Sequence, residues 1–212
     1  MVAVAEGSGV ARTLRSLGAI VVEGGAGNNP SVADLLHAID STPGESAVLL
    51  PGHPHVVPAA EQAAAHAGSS VRVIAAASAP AAIAAATAFS PAASLEENVE
   101  SMGEAAAAAR SGEVVRALRD ARTPAGDVHR GEWLGMVDGA AVAVEREPLQ
   151  VLASVARSVA GHGTAVLTLI VGHGVGADER RGAADLLRRE HGELRVDVID
   201  GGQASRYVVG AE

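Results

Sequence analysis

The stretch Val21 to Ser31 reads VVEGGAGNNPS, and its opening is nearly repeated at Val198 to Gly202 as VIDGG. In both places an apolar run of strand length meets an acid and two glycines. That is how a strand buried on both faces ends before the chain turns away. Around the first copy, strand-like and helix-like patterns alternate: VAVAE, VARTLRSLG, AIVVEGG, PSVADLLHAI, AVLLPG, VVPAAEQAAAHAG and VRVIAAA. Alternation of this kind predicts about four parallel strands joined by right-handed helical crossovers.

The second copy sits in a similar unit. AVAEGSGVA, a helix and IVVEGG correspond to LIVGHGVGA, a helix and VDVIDGG. In each, a Gly-x-Gly-Val turn (Gly7 to Val10, Gly172 to Val175) leads into a helix containing Leu-Arg. The echo predicts two related α/β halves with mainly parallel sheets, divided as residues 1–92 and 93–212. Pro30 and Ser31 open one helix, and Pro43 with Gly44 close it. Ser94 with Glu97 forms a capping-box pattern for a helix from about Leu95 to Arg110 that stops at Ser111 and Gly112. Asp138-Gly139 between two apolar runs predicts an antiparallel hairpin in the second half. Pro148 starts a further helix to about Ala160.

Composition removes several kinds of chemistry. The chain has 212 residues, 48% of them hydrophobic but only 1% aromatic, so its core is built from Ala, Val, Leu and Ile. Every one of the 16 basic residues is arginine. Without lysine there is no Schiff base and no Walker-type phosphate lysine. No cysteine is present, which removes thiol catalysis, disulfides and cysteine-based zinc sites. A net charge of -9 with no basic run disfavours nucleic acid. No signal peptide and no membrane-spanning run are evident, and a cytoplasmic protein is expected.

The remaining motifs each have a plain structural reading beside the functional one. Gly7-Ser8-Gly9 could cradle a phosphate, yet Arg12 stands where the dinucleotide pattern wants a small residue. Glu23-Gly24-Gly25 and Asp200-Gly201-Gly202 place a carboxylate at the end of a strand where open α/β sheets bind ligands, and their glycines could turn backbone N–H groups outward. Asn28 and Asn29 could add amide contacts or simply lead into a helix. His53 and His55 in Gly-His-Pro-His lack a third metal ligand, and His173 can be a base or an exposed loop residue. The alanine-rich run from Ser78 to Pro91 is core or a partner-binding face. No catalytic residue and no metal site is expected.

Taken in order, GSGVARTLRSLGA, VVEGGAGNNPS, LLPGHPHVVPAAEQAA, FSPAASLEENVESM, SGEVVRALRDA, GEWLGMVDG and VIDGGQ resemble the C-terminal region of the bacterial fatty-acid kinase A subunit, of the YloV-like, dihydroxyacetone-kinase-related family. The resemblance covers essentially the whole chain. It implies a fold in two halves akin to DegV and dihydroxyacetone kinase, and a non-catalytic module that docks a DegV-like fatty-acid-binding carrier protein. It also implies ATP and magnesium only in a separate kinase domain, with no cofactor in this segment. That kinase domain and a homodimeric copy are further partners it suggests. Gly24, Gly25, Asn28, Asn29, His53, His55, Gly201, Gly202 and Gln203 are the candidate partner- or ligand-binding residues. The chain departs from the family pattern at Ala26 to Asn28, at Gly52-His53, and at Ala204 to Tyr207. A small-molecule (phosphate- or carboxylate-) binding or enzymatic domain, or a structural dimerisation module, is the alternative.

Overall fold

A computed structural model describes residues 1–25, 27–68 and 70–212, so Ala26 lies outside the described residues. The chain divides into two compact units, Met1–Ala109 and Arg110–Glu212. The expected boundary was at 92/93. The helix that follows it stays with the first unit because buried Asn98 ties its start to the preceding turn: Asn98 accepts from the Ser90 N–H at 2.8 Å and donates to the carbonyls of Ser90, Ala93 and Ser94.

In the first unit, strands β1 (Val2–Ala5), β2 (Ile20–Glu23), β3 (Ala47–Leu50) and β4 (Val71–Val73) form a wholly parallel sheet in the order β2-β1-β3-β4. The crossovers are α1 (Ser8–Ser16), α2 (Val32–Asp40) and α3 (Val57–Ala67), and the unit closes with α4 (Ala79–Ala88) and α5 (Leu95–Ala108). β1 and β3 are buried along their whole length, which is why they read as unbroken apolar runs. The alanine-rich α4 is core: Ala81, Ala82, Ala84, Ala85 and Ala86 are buried, and α5 lies against it. Ser94 and Glu97 do form the capping box.

The second unit contains β5 (Arg110–Arg116), the small ribbon β6 (Ala121–Thr123) and β7 (Gly126–Val128), β8 (Trp133–Val137), β9 (Ala140–Glu145), α6 (Pro148–Val159), β10 (Val166–Val171), α7 (Ala177–Glu190), β11 (Arg195–Asp200) and β12 (Tyr207–Ala211). Its main sheet has the order β11-β10-β12-β5-β8-β9. The α/β class and the hairpin at Asp138-Gly139 hold, with both turn residues at positive φ (51° and 78°). Parallel pairing is confined to β10 and β11, so "mainly parallel" describes the first sheet and not this one. The cause is β12, a strand without a clear sequence signal, which inserts antiparallel between β10 and β5. Ser111 and Gly112, expected to stop a helix, lie within β5. A Cβ on Gly112 would meet Val155 at 2.6 Å, and one on Gly135 would meet Val155 and Val151 at 2.7 and 2.8 Å. The two glycines let α6 settle directly on the sheet.

The two acid-Gly-Gly segments end their strands in the same way. In the parallel registers Ala5 stands opposite Glu23 and Val171 opposite Asp200. The next glycine N–H then donates back to that residue: Gly24 to the Ala5 carbonyl at 3.0 Å, Gly201 to the Val171 carbonyl at 2.9 Å, with Gly202 sharing the latter at 3.1 Å. These N–H groups therefore extend the ladder and do not point outward.

The second unit also carries a polar latch. The Glu179 carboxylate of α7 takes hydrogen bonds from the Arg206 guanidinium and from the buried Tyr207 hydroxyl at 2.7 Å, while Arg206 also donates to the Gly174 carbonyl at 3.3 Å. Arg116 and Arg206 each stack over the Trp133 ring, 5.7 and 5.8 Å from its centroid. Burial alone would raise the Glu179 carboxyl, but the bonds from Arg206 and Tyr207 outweigh it and hold the group below the usual carboxylate range. Burial, then the Glu179 carboxylate, push the Tyr207 phenol upward, so it stays neutral.

Two outcomes follow from this packing. A Cβ on Gly172 would lie 2.0 Å from the Ser205 carbonyl oxygen, and one on Gly24 would lie 2.6 Å from Pro30 Cδ. Gly172→Ala should therefore cost about 2–4 kcal/mol in urea unfolding, and Gly24→Ala somewhat less, with no ligand present. Gly103→Ala, which meets nothing within 4 Å on a helix, should be neutral or stabilising by up to about 1 kcal/mol. For Glu179, a depressed folded-state pKa gives stability that is present above the unfolded value and lost as pH falls through the folded one. The native chain should lose this contribution progressively as pH falls below the ordinary glutamate range. Glu179→Ala should cost about 2–3 kcal/mol at neutral pH and flatten that acid limb, read by denaturant titrations across pH.

Candidate functional site

Because β1 to β4 run parallel, all their C-terminal ends lie at one edge of the first sheet. The chain leaves β2 through Gly24, Gly25 and a tight turn in which Gly25 and Asn28 exchange N–H···O bonds of 3.2 Å, with Gly27 at φ 88°. Gly25 is held against the Glu6 side chain, where a Cβ would meet Glu6 Cβ at 2.5 Å. Pro30 is buried, and Ser31 caps α2 by accepting from the Asp34 N–H while its own N–H donates to the Asp34 carboxylate at 2.9 Å. Hydrogen bonds from the Ser31 side chain and backbone hold the Asp34 carboxyl below its usual range. The turn leaves the Asn28 and Asn29 side chains exposed.

These asparagines border an open groove of about 590 Å³. One wall is the edge strand β2, from Ile20 to Glu23, and the other is α2, through Asp34, His37, Ala38 and Ser41. Neutral amides and two carboxylates, Glu23 and Asp34, face a channel floored by apolar strand. Arg15 approaches Glu23 at 3.9 Å across an exposed pair and neutralises it only weakly. The groove suits recognition of a polar or basic group lying on an apolar stem.

The nine residues expected from sequence do not form one site. Gly24, Gly25, Asn28, Asn29, His53 and His55 share the strand-end edge of the first sheet. Of the β2 loop, the glycines shape the turn while the asparagines face the groove. His53 caps the short 3-10 turn Pro54–Val56: its Nδ1 accepts from the His55 N–H at 3.2 Å, and the two rings meet edge to face 4.9 Å apart. Among the described residues no group of three or more His, Cys, Asp or Glu side chains comes together as a metal site. Gly201, Gly202 and Gln203 belong to the second unit. Gln203 is only 5% exposed, and its amide donates to the carbonyls of Ile170 at 3.1 Å and Ser205 at 3.3 Å, so it plugs the turn and is not presented to a partner. Asp34 and His37 were not among the expected residues. Asp34 was within reach, since Ser-x-x-Asp is a capping signature, but its place in a groove depends on where α2 lies against β2.

Known proteins agree with this architecture. The chain matches, over residues 1–212, the family of C-terminal regions like that of the fatty acid kinase A subunit. It is 29% identical over 214 residues to Protein YloV of Bacillus subtilis, covering 100% of this chain but 39% of YloV, so the chain spans about two fifths of that relative. Among solved structures it is similar to a DegV family protein, Cg2579 of Corynebacterium glutamicum (TM-score 0.68, 15% identity, 99% of this chain and 96% of that one). It is also similar to the dihydroxyacetone kinase of C. freundii (TM-score 0.64, 15% identity, 100% and 48%) and to Streptococcus pneumoniae fatty acid kinase B3 protein loaded with linoleic acid (TM-score 0.59, 11% identity, 86% and 76%). Among the described residues no helix is long and apolar enough to cross a membrane. With its DegV and dihydroxyacetone-kinase fold and a family match from end to end, the chain belongs to the FakA-like C-terminal family, named for the A subunit of fatty acid kinase.

Proposed function

We propose that this chain is the docking module of a fatty-acid kinase system, receiving a DegV-like fatty-acid-binding carrier in the cytoplasm. ATP, magnesium and the phosphoryl transfer itself then belong to a kinase domain elsewhere in the system. Family membership supports the reading, and so does the small share of YloV that the chain spans. The observation that carries it is the groove beside β2, bordered by exposed Asn28 and Asn29 where Gly25 and Asn28 exchange backbone bonds.

The alternative of a phosphate- or carboxylate-binding pocket is less favoured. The Gly24, Gly25, Gly201 and Gly202 N–H groups are already bonded within the fold, and the groove's charged groups are carboxylates that repel an anion. A dimerisation module built on the alanine-rich helix is disfavoured because α4 is buried.

Calorimetric titration of the cognate DegV-like carrier into this chain should give saturable binding. The double change Asn28→Ala with Asn29→Ala should weaken it about three- to tenfold without altering the unfolding midpoint. With magnesium, ATP and loaded carrier, the chain alone should give no acyl phosphate. Turnover by the isolated chain would overturn the assignment of chemistry to another domain.

A further inference from the structure

The two main sheets have four edges, and three are blunted in recognisable ways. β4 carries Arg72 at its centre, β11 carries Asp197 within it and Arg195 at its start, and β9 has the ribbon strand β7 packed against it. The outer edge of β2 has none of these. Ile20, Val21 and Val22 are half-buried and uncharged, and Glu23 comes only at the strand's end.

The hydrogen-bond register fixes which backbone groups this edge presents. The Ile20 N–H donates to Met1 and the Gly24 N–H to Ala5, both at 3.0 Å, so even-numbered residues of β2 face β1. By strand alternation the N–H and C=O groups of Val21 and Glu23 face outward, into the groove against α2. The groove is thus an unpaired parallel-sheet edge with a side-chain channel beside it, the geometry that accepts an added strand. Its carboxylates, Glu23 and Asp34, set the charge of what fits. A second copy of this chain would bring another net charge of -9 against them, whereas a basic segment would complement them.

We propose that the outer edge of β2 is a strand-addition site. An extended, apolar segment of the carrier bearing a basic residue pairs with the outward groups of Val21 and Glu23 and lays alternate side chains into the groove. This rests on the docking reading above and names the surface and the mode of contact.

The test is titration of the cognate carrier into native chain, Val21→Pro and Glu23→Arg, with amide hydrogen exchange of native chain free and bound. Proline at Val21 removes an outward donor and leaves the bonds to β1 in place, as edge strands allow. Each variant should weaken binding about tenfold or more, and the Val21 and Glu23 amides should become protected in the complex. Hydrogen exchange on the native chain decides the matter if Val21→Pro fails to fold. Native binding with those two amides unprotected, or with Glu23→Arg unimpaired, would overturn strand addition while leaving carrier docking intact. Failure of the native chain to bind the carrier would overturn both.

Discussion

The first unit's strand-end edge depends on one carbonyl oxygen, that of Ala5. It takes the Gly24 N–H and so carries the β1–β2 ladder one step past the last residue of each strand. With that bond made, the chain must turn within a residue, against the Glu6 side chain on one side and Pro30 on the other. Only glycine fits both positions, since a Cβ at either would lie well inside van der Waals contact. The Val171 carbonyl does the same for Gly201 and Gly202 in the second unit. What the two halves share is therefore a solution to ending a buried parallel pair.

This shared geometry separates what is structural from what is particular. The glycines and Gln203 satisfy backbone groups that would otherwise be stranded where a sheet stops. Asn28 and Asn29 answer no such need: their side chains stand outside the turn. Edge chemistry adds the second distinction. An outer strand that is half-buried and uncharged up to its last residue is a liability in isolation, and folds usually blunt such an edge with a charge inside the strand, as β4 and β11 do here. An edge without that protection, lying beside a groove, is where a second polypeptide gains most from hydrogen bonds that the free chain leaves to water.

Much of the fold was legible because it rests on local patterns. The parallel first sheet followed from apolar runs punctuated by turns, the β8–β9 hairpin from Asp138-Gly139, and the start of α5 from Ser94 and Glu97. What was missed lacked a local signal. β12 is a short run, YVVGA, whose partners β5 and β10 are distant in sequence, and its insertion is what turns the second sheet mostly antiparallel. The boundary between units moved for a similar reason, since a single buried side chain, Asn98, binds α5 to the turn before it. His53 illustrates the converse: a motif that suggested chemistry caps a turn.

The sequence by itself determined the fold class, the duplicated βαβ units and the absence of lysine and cysteine chemistry, because strand and helix periods and residue inventory are properties of the chain alone. Only the tertiary structure decided that the Gly24 N–H is spent on Ala5 and those of Gly201 and Gly202 on Val171, that Gln203 is buried, and that Glu23, Asn29 and Asp34 border one groove. Those facts concern which atoms meet across residues far apart in sequence. Hydrogen-bond satisfaction and edge exposure are settled only when the sheet closes.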